Sequence, residues 1–128
     1  MSRKITVLIV EDNKLCLFGA RCSLEQAGCS VDTAETGKEG LDKAVKNKYD
    51  IIFMDIGLEK GTDGFEVTKK IRSTSQINKD TPVVALTAHN REDYKEKAKE
   101  VGMNDFMVKP ADVDKVKSII KDFGLSEN

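Results

Sequence analysis

The run Ile51-Ile52-Phe53-Met54-Asp55 lies near the middle of the 128-residue chain and ends on a carboxylate. Four successive apolar residues without polar alternation are typical of a strand that is buried on both faces. Such strands occur in parallel sheets whose two faces are covered by helices. The run therefore predicts an α/β fold, with Asp55 at the point where the strand leaves the core.

Four other segments have the length and composition of strands, and segments with helical spacing separate them. Besides Ile51 to Met54, the predicted strands are Ile5 to Val10, Cys29 to Ala34, Val83 to Leu86 and Phe106 to Val108. Regular alternation of strand and helix favours right-handed βαβ crossovers. We therefore expect five βα units that form a parallel sheet with helices on both sides.

Apolar residues at helical spacing predict the face of each helix that packs against the sheet. The predicted faces are Leu15, Phe18 and Cys22; Leu41, Ala44 and Val45; Val67 and Ile71; Tyr94, Ala98 and Val101; and Val116, Ile119, Ile120 and Phe123. Gly124 follows the last set and predicts the end of the last helix. No linker or repeat interrupts the pattern, so we expect a single domain over residues 1–128.

The composition narrows the class of protein. Hydrophobic residues make up 39% of the chain and charged residues 34%, with a formal net charge of -1. This leaves no basic surplus for nucleic acid, and no apolar run approaches the roughly 20 residues that cross a bilayer. Cys16, Cys22 and Cys29 lack Cys-x-x-Cys spacing, which indicates reduced packing residues. We expect a cytoplasmic domain with no direct nucleic-acid contact and no membrane insertion.

Three carboxylates follow two of the predicted strands. Glu11 and Asp12 come directly after the first strand, and Asp55 comes directly after the third. In a sheet of this kind the ligand site lies outside the carboxyl ends of the strands, where the strand order reverses. Carboxylates so close together repel one another unless a cation neutralises them, and hard oxygen ligands suit Mg²⁺. The sequence therefore predicts a Mg²⁺ site at this edge.

A hydroxyl and an ammonium group are predicted at the same edge, because Thr87 ends the fourth strand and Lys109 follows the fifth. Phosphoryl transfer depends on positioning and on neutralising charge around three equatorial oxygens. In that chemistry Asp55 would be the nucleophile, and Mg²⁺ would be held by Asp12, Asp55 and the Gly57 carbonyl. The ion, Lys109 and Thr87 would each take one phosphoryl oxygen.

Five segments, in this order, resemble the receiver domain of bacterial response regulators, and they extend over essentially the whole chain. They are Leu8-Ile9-Val10-Glu11-Asp12-Asn13, Asp50-Ile51-Ile52-Phe53-Met54-Asp55, Asp63-Gly64-Phe65-Glu66, Pro82-Val83-Val84-Ala85-Leu86-Thr87-Ala88 and Phe106-Met107-Val108-Lys109-Pro110. The resemblance implies a flavodoxin-like, doubly wound sheet of five parallel strands in the order 2-1-3-4-5, with five helices. It also implies a two-component or phosphorelay function and no enzymatic activity beyond the domain's own phosphorylation and dephosphorylation.

The resemblance also assigns roles to the site residues. Asp55 would be the phosphoacceptor, Glu11 and Asp12 the acidic pair at the Mg²⁺ site, and Lys109 the lysine that contacts the phosphoryl group. The phosphoryl group would come from a histidine kinase or a histidine phosphotransfer domain.

Two further positions concern the switch that the family uses. Thr87 would be the switch hydroxyl, and Phe106 falls at the family's aromatic rotamer switch. Phosphorylation would then change the surface formed by the fourth helix and the fifth strand. Pro110 falls where the preceding peptide bond, here Lys109–Pro110, is cis in the family.

Two features depart from the family pattern. Glu59 stands where receivers have a proline, in a loop from Gly57 to Gly64 that is one residue longer. We expect this loop to be more mobile, because glycine adds backbone freedom and no proline ring restricts it. Gly57 and His89 occupy two positions whose side chains influence dephosphorylation in the family. His89 is the only histidine and is interpreted as a solvated loop residue.

Other functions share part of this pattern. A haloacid-dehalogenase-like phosphatase needs a second carboxylate two residues after its nucleophile, where this chain has Gly57. A flavodoxin-like FMN carrier needs a hydroxyl-rich phosphate loop, where Glu11 and Asp12 would repel phosphate. A pseudo-receiver would bind partners without phosphorylation, but the residues of a working site that this chain retains argue against that alternative.

No output domain follows Phe123. We therefore expect either a stand-alone regulator or, as we favour, the receiver of a hybrid sensor kinase.

Overall fold

The computed structural model describes residues 4–57 and 63–125, and within these ranges strands and helices alternate as predicted. The strands are β1 (Thr6–Val10), β2 (Ser30–Ala34), β3 (Ile51–Asp55), β4 (Val83–Thr87) and β5 (Asp105–Val108). The helices are α1 (Lys14–Gln26), α2 (Gly37–Lys46), α3 (Gly64–Thr74), α4 (Glu92–Glu100) and α5 (Val113–Asp122). Each predicted strand lies within one residue of its observed bounds.

All the strand pairs are parallel, and the order in the sheet is β2-β1-β3-β4-β5, which confirms the doubly wound topology. The order reverses between β1 and β3, so their carboxyl ends flank the crevice where such sheets bind ligands. Asp55 is the last residue of β3 and is paired with Leu86 of β4. Thr87 is the last residue of β4 and is paired with Val108 of β5. The topology therefore brings the predicted site residues to one edge.

Two apolar layers cover the sheet, one on each face. In β1, Leu8 and Val10 belong to the layer that α2, α3 and α4 cover, whereas Val7 and Ile9 belong to the layer beneath α1 and α5. All four side chains are inaccessible to solvent. This explains why β1 reads as an unbroken apolar run, since a parallel strand with helices on both faces has no polar face.

The prediction for α1 is wrong, because the face with Leu15, Phe18 and Cys22 does not pack into the core. Leu15 is 84% exposed and Phe18 is 67% exposed. The buried face of α1 carries Ala20 and Leu24 instead. The helix has apolar residues on two faces, both with helical spacing, and spacing alone does not tell which one meets the sheet.

The remaining predicted helix faces pack against the sheet with one exception. Val45 of α2 is 44% exposed, whereas Leu41 and Ala44 of the same set contact the core. Gly124 has φ +70° and directly follows the residue that caps α5, which confirms the predicted end of that helix. Among the described residues, no helix combines the length and apolar character that crossing a membrane requires.

Candidate functional site

The three predicted carboxylates converge at the carboxyl edge of the sheet. Glu11, Asp12 and Asp55 each offer an oxygen atom, and these atoms all lie within 4.8 Å of one another. Glu11 and Asp55 are buried, while Asp12 is half-buried. Glu11 and Asp12 lie in the loop between β1 and α1. Asn13 ends this loop and caps α1, because its side chain accepts a hydrogen bond of 2.9 Å from the Cys16 amide.

Lys109 brings its ammonium group to the same cluster. Its Nζ atom forms an ion pair with Glu11 and lies 3.5 Å from Asp55 Oδ2. The Lys109 amide donates a hydrogen bond of 2.7 Å to the Thr87 carbonyl, which ties the loop after β5 to the end of β4. The Lys109–Pro110 peptide bond is cis, as predicted. Sequence reasoning placed Lys109 at this edge but did not identify Glu11 as its ion-pair partner.

The two oxygens of Asp55 have different partners. Oδ2 faces Lys109, whereas Oδ1 accepts a hydrogen bond of 2.9 Å from the Gly57 amide. Thr87 is buried, and its hydroxyl accepts a hydrogen bond of 3.1 Å from the His89 amide. Asp55, Thr87 and Lys109 all line one cleft. A ligand in this cleft would therefore meet a carboxylate, a hydroxyl and an ammonium group.

Carboxylates outnumber ammonium groups among the described residues of the cluster. The carboxylates are Glu11, Asp12 and Asp55, and Lys109 provides the ammonium group that pairs with Glu11 and Asp55. Burial, reinforced by Asp55, raises the pKa of Glu11 to about 7. Burial lowers the pKa of Lys109, but Glu11 and Asp55 outweigh that effect, so its pKa is raised. Both directions follow from two buried carboxylates that share one cation.

This donor set fits Mg²⁺, because carboxylate oxygens are hard ligands and three of them lie within 4.8 Å of one another. Asp12, Asp55 and Glu11 are the carboxylates available to hold it. The Gly57 carbonyl stays a predicted ligand, since the structure establishes only the contact of the Gly57 amide with Asp55.

The raised pKa of Glu11 predicts how Mg²⁺ stabilisation changes with pH. Without metal, Glu11 keeps its proton up to about pH 7 in the folded state, whereas in the unfolded chain it loses the proton near its ordinary pKa of 4.5. The contribution of Glu11 to the free energy of unfolding is therefore fully present below that pH, and it is lost as pH rises through about 7. We expect saturating Mg²⁺ to raise the melting midpoint by several degrees at about pH 8. The increase should be smaller at about pH 6, because there Mg²⁺ must displace the proton of the Glu11 carboxyl group.

Thermal melts followed by circular dichroism, with Mg²⁺ or with a chelator, would measure this difference. Glu11→Gln is the matched control, because it keeps the side-chain shape and removes the titration. Its Mg²⁺ increment should be the same at both pH values. Equal increments in the wild-type protein would contradict the assignment of the raised pKa to Glu11.

Phe106 is half-buried and lines two grooves on either side of β5. In one of them the Lys95 ammonium lies 5.7 Å from the centre of the Phe106 ring. Phe106 does not belong to the described residues that line the Asp55 cleft. The role of Phe106 as an aromatic switch stays a prediction from the family resemblance.

His89 is exposed at the rim of the cleft, which agrees with its interpretation as a solvated loop residue. The prediction of a mobile loop around Glu59 falls outside the described residues.

Sequence reasoning missed Gly64, which closely approaches Asp55: an added Cβ atom would lie 2.2 Å from the Asp55 carbonyl oxygen. The sequence feature that could have indicated this close approach is the glycine at the first position of α3, directly after the helix-capping Asp63.

Residues 7–121 match the response regulator receiver domain family. The transcriptional regulatory protein HprR of Escherichia coli (strain K12) is 35% identical over 104 residues, which cover 81% of this chain and 44% of HprR. The aerobic respiration control sensor protein ArcB of the same strain is 36% identical over 119 residues, which cover 93% of this chain and 15% of ArcB. The chain thus spans less than half the length of these relatives.

Solved structures agree with this match. The chemotaxis response regulator CheY4 of Vibrio cholerae has a TM-score of 0.85 at 32% identity, covering 94% of this chain and 99% of its own. The receiver domain of the sensor histidine kinase PA1611 of Pseudomonas aeruginosa PAO1 has a TM-score of 0.86 at 28% identity, covering 97% and 100%. That structure is described with a magnesium ion coordinated in its active site cleft.

The chain belongs to the response regulator receiver domain family. It is a receiver domain of two-component signalling, and its relatives include both response regulators and hybrid kinases. Domains of this family interact with histidine kinases or phosphotransfer domains, and they bind Mg²⁺ at their acidic cluster.

Proposed function

We propose that residues 1–128 form a single cytoplasmic receiver domain that accepts a phosphoryl group on Asp55. The observation that carries this proposal is the position of the Asp55 carboxylate, which lies 3.5 Å from the Lys109 ammonium group and within 4.8 Å of the acidic pair Glu11 and Asp12. Free cysteines suit a reducing compartment. The domain is a phosphoacceptor that assists its own phosphorylation and dephosphorylation, and it has no other enzymatic role.

In the proposed reaction an Asp55 carboxylate oxygen bonds to phosphorus as the bond from phosphorus to the donor's leaving group breaks. Lys109 would hold one phosphoryl oxygen through its ammonium group. Thr87 would donate its hydroxyl hydrogen to a second oxygen, after the side chain turns toward the new group. When held by Glu11, Asp12, Asp55 and the Gly57 carbonyl, Mg²⁺ would supply positive charge for the third oxygen.

A histidine kinase or a histidine phosphotransfer domain is the proposed partner, and the exposed face of α1 is where it would dock. Leu15 and Phe18 of α1 are large and exposed. Leu15 also lines a groove of about 580 Å³, between α1 and the loop after β5, whose lining includes Lys109 and Pro110. This groove and the Asp55 cleft share Lys109 in their linings, so a partner that delivers a phosphoryl group to Asp55 would also bury the exposed Leu15 beside it.

The proposal is tested by incubating the purified protein with acetyl phosphate and separating the products on a gel that retards phosphoproteins. We expect a retarded band with Mg²⁺ and none with a chelator. Asp12→Asn should form this band much more slowly at the same Mg²⁺ concentration, because one carboxylate of the metal site is lost. A pseudo-receiver would show no retarded band under any of these conditions.

A second expectation concerns the switch. On addition of beryllofluoride, which mimics a phosphoryl group on Asp55, Thr87 should turn inward and free the space into which the Phe106 ring moves. Amide chemical shifts of residues 88–106 should then change in the wild-type protein and change much less in Thr87→Ala. Equal changes in both proteins would count against coupling through the Thr87 hydroxyl.

A third expectation concerns the lifetime of the phosphorylated state. Gly57 has no side chain to orient a water molecule for attack on phosphorus, so hydrolysis should be slow. Asparagine suits this position, because the one atom of the described residues that an added Cβ atom would meet is Asp55 Oδ1, at an ordinary contact of 3.6 Å. Gly57→Asn should therefore shorten the lifetime roughly threefold or more by positioning water.

Loss of radiolabel from purified phosphoprotein, with Mg²⁺ present, measures this lifetime. His89→Ala is the comparison variant and should change the lifetime much less, since His89 is a solvated rim residue. If wild-type protein decays as fast as Gly57→Asn, the missing side chain at position 57 does not control the lifetime. A slow decay would suit a domain that passes its phosphoryl group onward.

A further inference from the structure

Lys97 of α4 is held at the rim of the Asp55 cleft. Its ammonium nitrogen lies 4.9 Å from the centre of the Phe65 ring, within the range of a cation–π interaction. Phe65 is buried at the start of α3, and its ring centre is 6.4 Å from that of Tyr94. All three side chains line the cleft. Lys97 is therefore positioned on the α3–α4 side of the cleft, whereas Lys109 comes from the loop after β5.

The cleft carries more acid than base. Among the described residues that line it, the carboxylates are Glu11, Asp12, Asp55, Asp63 and Asp93, and the ammonium groups are Lys97 and Lys109. Lys109 is engaged by two of these carboxylates, and Asp93 is paired with Arg91 at 2.7 Å. Lys97 forms no ion pair with any carboxylate of the described residues. Its charge is thus available to an anion that enters the cleft.

Small phosphodonors are anions, and an acidic cleft repels them. A cation at the rim offsets that repulsion and raises the local concentration of the donor, an effect that acts on association rates and weakens with salt. We propose that Lys97 recruits small anionic donors of the acyl phosphate class to Asp55, an inference that rests on the proposed function. In the reaction the Asp55 oxygen bonds to phosphorus, the bond between phosphorus and the acyl oxygen breaks, and the acyl carboxylate leaves with the electron pair.

The test compares two charge reversals on the same helix. Lys97→Glu should slow phosphorylation by acetyl phosphate about fivefold at low ionic strength, because the donor carries about two negative charges. Lys99→Glu changes the net charge equally. Lys99 lies about 200° further round the helix and lines the groove beside Phe106. Its phosphorylation rate should stay within about twofold of the wild-type rate.

Lys97→Met separates the charge of Lys97 from its packing, because methionine keeps an unbranched apolar side chain over Phe65. It should also be slower than wild type, though less so than Lys97→Glu. The differences among the variants should shrink at about 1 M salt, where charges are screened within a few ångströms. They should also be smaller with phosphoramidate, whose protonated nitrogen offsets part of its negative charge.

Equal rates for Lys97→Glu and Lys99→Glu would overturn the inference while leaving the proposed function intact. A slower rate for Lys97→Glu that persists unchanged at high salt would also overturn it, since that result indicates a structural role. If the wild-type protein takes no phosphoryl group from acetyl phosphate, the proposed function fails, and this inference fails with it.

Discussion

Gly64→Ala is expected to lower the free energy of unfolding by about 3 kcal/mol or more, and to slow phosphorylation of Asp55. An added Cβ atom would lie 2.2 Å from the Asp55 carbonyl oxygen and 2.9 Å from both the Asp55 carbonyl carbon and the Ile56 Cα atom. All of these are backbone atoms at the end of β3, so no side chain can rotate away. Either α3 or the end of the strand that carries Asp55 must shift.

Gly19→Ala is the matched control. Gly19 lies within α1 and is exposed, and apart from its chain neighbours and the backbone of its own helix, no described residue has an atom within 4 Å of an added Cβ atom. Replacing a glycine in a helix interior by alanine is expected to stabilise the protein by about 0.5 to 1 kcal/mol. The two substitutions should therefore have opposite signs in urea denaturation. Equal stabilities of Gly64→Ala and the wild-type protein would contradict the close packing of α3 on the Asp55 backbone.

The close approach at Gly64 also matters for the site. It allows α3 to begin directly against the end of β3, with Asp63 as the cap of the helix. Phe65, the next residue, then lies in the wall of the Asp55 cleft and supports Lys97. A displacement of α3 would move this wall, so the effect on phosphorylation should accompany the loss of stability.

Much of the fold could be predicted because parallel strands in this fold are buried on both faces. β3 and β4 are buried along their whole length and read as apolar runs. Asp55 and Thr87 could be placed because each directly ends such a run. The faces of α1 could not be predicted, since both its exposed pair, Leu15 and Phe18, and its buried residues repeat with a helical spacing.

Contacts between distant parts of the chain were beyond the reach of sequence patterns. Strand order places Lys109 near the acidic cluster, but its ion pair with Glu11 depends on side-chain geometry. The same is true of Lys97, whose position over Phe65 joins two helices. The contact of the Phe106 ring with Lys95 of α4 could not be predicted either, because it also depends on side-chain geometry.

Asp55→Asn is expected to abolish phosphorylation, the largest functional effect of any single substitution in this site. The amide is a poor nucleophile, while its size and shape are close to those of the carboxylate. Its melting midpoint without Mg²⁺ should be at least that of the wild type, because one of three crowded carboxylates has lost its charge. Loss of phosphorylation could then not be attributed to unfolding.

Asp63→Asn provides the comparison, since it makes the same acid-to-amide change at the rim of the cleft. Asp63 begins α3 by accepting a hydrogen bond of 2.9 Å from the Glu66 amide, and asparagine caps helices equally well. This variant should be phosphorylated at nearly the wild-type rate. A large loss in Asp63→Asn would indicate that general acidity of the cleft, and not one nucleophile, controls the reaction.

The most direct measurement is the intact mass of each protein after incubation with acetyl phosphate and Mg²⁺, followed by peptide mapping. We predict one added phosphoryl group in the wild-type protein and in Asp63→Asn, located on the peptide that contains Asp55. No phosphoryl group should be added to Asp55→Asn. A phosphoryl group on Asp55→Asn, or one mapped to another residue of the wild-type protein, would contradict the assignment of Asp55 as the phosphoacceptor.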